Sequence, residues 1–247
     1  MNHALTGKTA IVTGSSRGIG RAIAMRLATE GAQIILTGRD KAALAEAEQH
    51  LPAAKSIALD LREPEAAQKL TDFAIQTYGS LDIVVNNAGA TKRGDFLDLT
   101  DEDFTDGFAL KYFGAVRLTR AAWPHLKKSG GSVIFISGVG GRTPGAQFTI
   151  GGSVNAAVLT FTKALAELGI KDGVQVNAVN PGSIRTARLS ARITSTAQEA
   201  AFVKSANITR IGEPEDIAAL VAFIASPEGR LLHGSLIDMD AGATKTV

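Results

Sequence analysis

Three glycines, Gly14, Gly18 and Gly20, lie between the apolar run Thr9–Thr13 and an amphipathic stretch from Ile19 to Glu30. Their spacing is G-x-x-x-G-x-G rather than G-x-G-x-x-G, but the mechanics of a dinucleotide loop are the same. One glycine permits a tight turn, one lets the backbone approach a pyrophosphate, and one lets the helix pack on the sheet. The amino end of that helix supplies unpaired N–H groups and a partial positive charge. A second apolar run ends in Gly38-Arg39. A carboxylate at that place would accept from a ribose 2′-hydroxyl and repel a 2′-phosphate, whereas an arginine binds phosphate through paired, charge-assisted N–H donors. Arg17 adds a second positive charge, and Asp40, beside Arg39, works against the effect of Arg39. The expected cofactor is NADP(H) in preference to NAD(H). Groups for proton or nucleophilic chemistry are few: there is no cysteine, and Tyr78 and Tyr112 are the only tyrosines. His125 and His233 lack partners at metal or triad spacing, so no metal is expected.

The elements that would position these groups alternate along the chain. Short apolar runs at 9–13, 33–37, 56–59, 82–86, 133–137 and 175–179, with a shorter one at 235–239, have the composition of strands covered on both faces. Amphipathic stretches at 19–30, 41–49, 65–78, 104–128, 154–168 and 214–225 lie among them. The last has Pro214 in its first turn and acidic residues from Glu213 to Asp216 at the positive helix end. Strand–helix alternation implies parallel βαβ units and a doubly wound α/β sheet. Residues 183–208, rich in Ala, Ser, Thr and Arg, interrupt the pattern. They read either as a lid over the carboxyl edge of the sheet or as a surface helix pair.

With these elements in place, Thr13-Gly14-Ser15-Ser16-Arg17-Gly18-Ile19-Gly20, Asn86-Asn87-Ala88-Gly89 and Asn180-Pro181-Gly182 together resemble the short-chain dehydrogenases/reductases, over nearly the whole chain. The resemblance implies a single-domain Rossmann fold over 1–247, with a seven-stranded parallel sheet flanked by helices. It implies a cofactor site that uses Gly14, Ser16, Arg17, Gly18, Ile19 and Gly20 in the loop, with Arg39 beside it. Asp60 and Leu61 would meet adenine, and Asn87, Ala88 and Gly89 would line the adenosine ribose. Pro181, Gly182, Ile184 and Thr186 would surround the nicotinamide. It also implies a homotetramer in which the stretches 104–128 and 154–168 pack against symmetry mates.

The resemblance fails at the proton chemistry. In that family a tyrosine exchanges the proton as hydride moves, and a lysine one turn on lowers its pKa and holds the ribose. A serine steadies the substrate oxygen, and an asparagine holds a relay water. Asn155-Ala156-Ala157-Val158-Leu159 resembles the stretch beginning at that lysine, which puts the tyrosine position at Gly151 and the serine position at Gly138. Ala109-Leu110-Lys111-Tyr112-Phe113-Gly114 puts Lys111 at the asparagine position. A one-residue shift brings Ile150 or Gly152 to the tyrosine place, and neither titrates. Tyr112 points about 100° away from Lys111 on a helix and suits the core or a subunit interface. Ser137 and Gly138 would face opposite ways along a strand.

Lys111 and Asn155 are therefore the candidate catalytic pair, since exchanging the family's two groups leaves one ammonium and one amide. Loss of a ring at Gly151 is expected to open space into which Lys111 reaches. There it would stabilise an oxyanion or, if burial lowers its pKa, attack a carbonyl as a Schiff base. The alternative is a lysine that extends to water or pairs with a carboxylate. Gly138, Gly140, Gly141, Gly145, Gly151 and Gly152 mark either an enlarged pocket or close packing. Arg142, Gln147, Thr149 and Ser153 are the polar side chains available to face it.

Three functions follow: an NADP-dependent oxidoreductase acting on a small carbonyl or alcohol, an NADP(H)-binding sensor or structural subunit without turnover, and lysine-dependent non-redox carbonyl chemistry. A net charge of +2 gives no argument for nucleic acid or an anionic membrane surface. No apolar run approaches the roughly 20 residues of a membrane span. The amino terminus from Met1 to Lys8 lacks the apolar core of a signal peptide. A soluble cytoplasmic protein is expected.

Overall fold

Seven apolar runs become strands because helices cover both faces of the sheet they form. The computed structural model describes residues 3–246, so Met1, Asn2 and Val247, the ends of the expected domain, lie outside the described residues. The strands are β1 (Thr9–Thr13), β2 (Gln33–Gly38), β3 (Ala54–Ala58), β4 (Ile83–Asn86), β5 (Ser132–Ile136), β6 (Gln175–Pro181) and β7 (Leu236–Met239). They pair in parallel in the order β3-β2-β1-β4-β5-β6-β7. The helices are α1 (Gly18–Thr29), α2 (Lys41–Gln49), α3 (Ala66–Tyr78), α4 (Asp101–Phe108), α5 (Gly114–Ser129), α6 (Thr149–Asp172), α7 (Ala187–Ser190), α8 (Thr196–Ala206) and α9 (Pro214–Ala225).

Side-chain alternation divides the core in two. Ala10 and Val12 of β1 join a cluster with α1, α2 and α9, while Ile11 between them joins a cluster with α3, α5 and α6. As expected from the sequence, Pro214 opens α9 with Glu215 and Asp216 in its first turn; the Glu213 backbone N–H also donates to the Asp216 carboxylate at 2.7 Å. Among the described residues no helix is long and apolar enough to cross a membrane.

Three elements depart from the sequence reading. The third strand begins at Ala54 rather than Ser56, because Ala54 and Lys55 pair in register with Ile34 and Ile35 although Lys55 is exposed. The stretch 104–128 is not one continuous α-helix. A π-helical turn, Ala109–Phe113, separates α4 from α5 and carries Lys111 at its centre. Such wide turns occur mostly as single turns within α-helices, often at functional sites. The helix expected from Val154 begins five residues earlier, at Thr149, and continues to Asp172, where Gly173 closes it with φ +71°. The interrupted segment 183–208 contains two helices, α7 and α8, as in one of its two sequence readings.

The chain runs outward from β1 through β2 to β3, then crosses back to β4, so a crevice opens at the carboxyl ends of β1 and β4. Asn87 stitches the two strands there. Its Nδ2 donates to the Thr13 carbonyl at 2.8 Å and the Gly14 carbonyl at 3.3 Å. Thr13 Oγ1 accepts from the backbone N–H of Asn87 at 2.9 Å and of Ala88 at 2.8 Å. The expected effect of Asn87→Ala, which leaves those carbonyls without their donor, is a loss of about 1–3 kcal/mol in urea unfolding free energy. A loss below about 0.5 kcal/mol would show that water satisfies them equally well.

Candidate active site

The crevice is a cleft of about 940 Å³. Its cofactor half is built by the turn after β1. Gly14 and Gly18 take left-handed backbone, with φ of +63° and +57°. A side chain at Gly20 would overlap the Gly14 carbonyl, so only glycine lets α1 pack this closely. Arg17 caps α1 without a side-chain hydrogen bond, and no acidic residue occupies the first turn. The helix amino end is therefore free to receive phosphate. Gly14, Ser16, Arg17, Gly18, Ile19, Gly20, Arg39, Asp60, Leu61, Asn87, Ala88, Gly89, Pro181, Gly182 and Thr186 all line the cleft. Ile184 does not: it is buried among the core residues and bridges to Gly212.

The environment of Arg39 answers the objection raised by Asp40. The Asp40 carboxylate accepts from the backbone N–H groups of Ala42 and Ala43, capping α2. Arg39 is 65% exposed, and its nearest acid is Asp60 at 3.7 Å. The Asp60 carboxylate is in turn engaged by Arg62 through both backbone and guanidinium. A side chain at Gly38 would meet only Ser16 Oγ at 3.7 Å and a Leu44 methyl at 4.0 Å. These residues fit a nucleotide with a phosphorylated ribose, because a hydroxyl, a guanidinium and open space converge at Gly38.

The other half of the cleft contains Lys111 and Asn155. The Lys111 stem crosses the backbone of Gly89, where a Cβ would stand 2.9 Å from Lys111 Cδ. The ammonium then donates to the Ser137 carbonyl at 2.8 Å and to Asn155 Oδ1 at 2.6 Å. Burial, and secondarily the charge of Arg188, lower its pKa to about 8. Asn155 Oδ1 is thereby fixed as acceptor. Its Nδ2 makes no hydrogen bond among the described residues and is not among the fully enclosed polar atoms. That amide edge faces the cleft beside Gly138, where a Cβ would stand 2.9 Å from Asn155 Nδ2. Ser137 Oγ, buried, donates instead to the Asn155 carbonyl at 3.1 Å.

Lys111 does not enter the space expected to be vacant at Gly151. The Phe148 ring fills it, and any Cβ at Gly151 would overlap that ring. The glycine concentration serves close packing rather than enlargement. Gly140 lies against Phe148, Gly141 against the backbone of Asn155 and Ala156, and Gly152 against the Gly140 carbonyl; only Gly145 has open space around it. Arg142 turns away to pair with Asp238 at 2.7 Å. Tyr112 lies in an aromatic cluster with Phe108, Phe113 and Phe161.

Known proteins share the sequence pattern and the fold of this chain. The family model described as enoyl-(acyl carrier protein) reductase matches residues 14–244. An uncharacterized oxidoreductase of Mycobacterium tuberculosis is 38% identical over 97% of this chain and 93% of its own. The crystal structure of L-sorbose reductase from Gluconobacter frateurii, complexed with NADPH and L-sorbose, superposes with a TM-score of 0.92 at 31% identity, covering 100% of both chains. A short-chain dehydrogenase from Burkholderia cenocepacia in complex with NADP gives 0.87 at 34% identity over 97% of this chain and 99% of that one. The chain belongs to the short-chain dehydrogenase/reductase family.

Within this family of NAD(P)-dependent oxidoreductases, the sequence reading missed Phe148 and Arg93. Phe148 had a legible signal: it stands three residues before Gly151 at a helix start, on the same face. Arg93, whose guanidinium carbon lies 3.7 Å from the Phe148 ring centroid, had none. The filled site makes a test with a change of sign. Gly151→Ala is expected to destabilise the wild type by about 1–3 kcal/mol through overpacking. In a Phe148→Ala background the same change should stabilise by up to about 1 kcal/mol, the helix preference for Ala over Gly. Thermal or urea unfolding of the four proteins measures it, and the same sign in both backgrounds would remove Phe148 from the Gly151 space.

Proposed function

We propose that this protein is an NADP(H)-dependent oxidoreductase that interconverts a small carbonyl compound and its alcohol, with Asn155 and Lys111 in place of the family's hydroxyl groups. The observation that carries the reading is the 2.6 Å bond between Lys111 Nζ and Asn155 Oδ1, which leaves the amide N–H edge free in the cleft. When bound, the nicotinamide supplies or accepts the hydride. The Asn155 amide, near the family's serine place, donates to the substrate oxygen and steadies its negative charge. Lys111 keeps that amide from flipping and, in reduction, supplies the proton that completes the alcohol. Its lowered pKa brings it nearer the range where acid–base catalysis is efficient. Water then reprotonates the amine. Arg39, Ser16 and Gly38 favour NADP(H) over NAD(H) by receiving the 2′-phosphate. We also infer that residues 183–208 act as a lid, and that the enzyme is a cytoplasmic homotetramer. The exposed Phe113 beside α5 and Leu168 on α6, 48% and 44% accessible, support association through those helices.

NADPH oxidation across a panel of aldehydes and ketones tests the reading; tight NADPH binding with no oxidation of any of them would leave a sensor or structural subunit. Lys111→Met should lower kcat by about 10²–10⁴-fold while leaving NADPH affinity intact, and an unchanged kcat removes Lys111 from the chemistry. In reduction the acid must be protonated, so the wild-type rate should be full below about 8 and fall as pH rises through it. Arg39→Asp should lower the NADPH/NADH affinity ratio by about 10–100-fold, the worth of a charge-assisted contact. An unchanged ratio would refute the role of Arg39.

A further inference from the structure

Beyond the Lys111–Asn155 pair, the wall of the cleft carries cations without carboxylate partners. Arg93, in the loop after β4, and Arg188, on α7, both line it. Arg192 follows about one turn after Arg188. Among the described residues none of the three forms an ion pair, whereas their neighbour Arg185 is held by both Glu199 and Glu213. They also stand close enough to oppose one another. Burial, then Arg192 and Arg188, lower the pKa of Arg93, and Arg188 contributes to that of Lys111. The acids that line the cleft, Asp40 and Asp60, belong to the cofactor half and are engaged there. Like charges gathered without a counterion raise local anion concentration and oppose the compact state until an anion relieves them.

Gly151 explains how one of these cations is held. With no side chain there, the Phe148 ring enters, and the Arg93 guanidinium stacks on its face at 3.7 Å. A guanidinium stacked on an aromatic ring keeps its in-plane N–H donors available, in the fork that matches a carboxylate or phosphate. The place of the family's tyrosine has become the footing of an arginine.

We propose that Arg93 and Arg188 form an oxyanion-binding end of the substrate pocket, and that the substrate is a carbonyl or hydroxy compound carrying a carboxylate or phosphate group. The redox part of this assignment rests on the function proposed above; the anion site does not.

Calorimetry of the full-length protein saturated with NADP⁺, titrated with malonate and separately with inorganic phosphate, tests the site without turnover. At least one probe is expected to bind the wild type about tenfold or more tighter than the Arg93→Gln/Arg188→Gln variant, with NADP⁺ affinity changed less than about twofold. The probe that shows the difference identifies the anion as carboxylate or phosphate. Equal binding of both probes to the two proteins overturns the site. A matching loss of NADP⁺ affinity also overturns it, because the arginines would then serve the cofactor's phosphates. Arg93→Lys, which keeps the charge but loses the planar fork, should fall between wild type and Arg93→Gln. Turnover separates the two proposals. Arginine-dependent anion binding with no NADPH oxidation by acetoacetate, acetoacetamide or any other member of the aldehyde and ketone panel would sink the redox reading and leave the anion site standing. Reduction of neutral acetoacetamide as fast as acetoacetate would sink the anionic substrate and leave the reductase.

Discussion

A part-buried ammonium needs acceptors, and most of this site is arranged around supplying them to Lys111. The Ser137 carbonyl and Asn155 Oδ1 take two of its three protons. For Asn155 to be there, Gly138 must lack a side chain, and for the lysine stem to pass, Gly89 must lack one. The π-turn Ala109–Phe113 sets where along the helix the lysine departs. Removing the ammonium alone would leave an amide free to rotate and a carbonyl short of a donor. Restoring a side chain at Gly138 or Gly89 would displace the pair. Lys111, Asn155, Gly138 and Gly89 are in this sense one arrangement, since each tolerates or requires another.

Strands such as Thr9–Thr13 were legible because a parallel strand buried on both faces is an apolar run bounded by turn residues. The glycine loop was legible because its phosphate-binding mechanics depend on backbone geometry that few residues other than glycine adopt. The π-turn was not, because apolar periodicity averages over many residues and one inserted residue changes it little. Strand β3 was displaced by two residues because Lys55 breaks the apolar pattern while its backbone still pairs with β2.

The candidate site was legible in membership but not in geometry. Motif spacing singles out Lys111 and Asn155 together, yet nothing along the chain says which neighbour fills the space beside Gly151. Protein interiors close over such spaces wherever a side chain can reach. Here the long, charged Lys111 found acceptors nearby, and the apolar Phe148 took the space against Gly151. Desolvation favours that division: an aromatic ring loses nothing in an apolar hole, whereas an ammonium placed there would forfeit its hydrogen bonds.

The two proposals constrain each other electrostatically. Burial, and after it the charge of Arg188, lower the pKa of Lys111, so without substrate the lysine holds its proton less firmly than it would in water. An anion bound between Arg93 and Arg188 cancels part of that positive field and adds a negative charge to the same cleft. Both effects favour the protonated lysine. Substrate binding would thus load the proton donor, and departure of the product would release the constraint. A neutral substrate offers no such coupling, because it leaves the arginine field as it was. In the proposed reaction Lys111 would therefore be more fully protonated with an anionic carbonyl bound than with a neutral one, even if both are placed identically against Asn155.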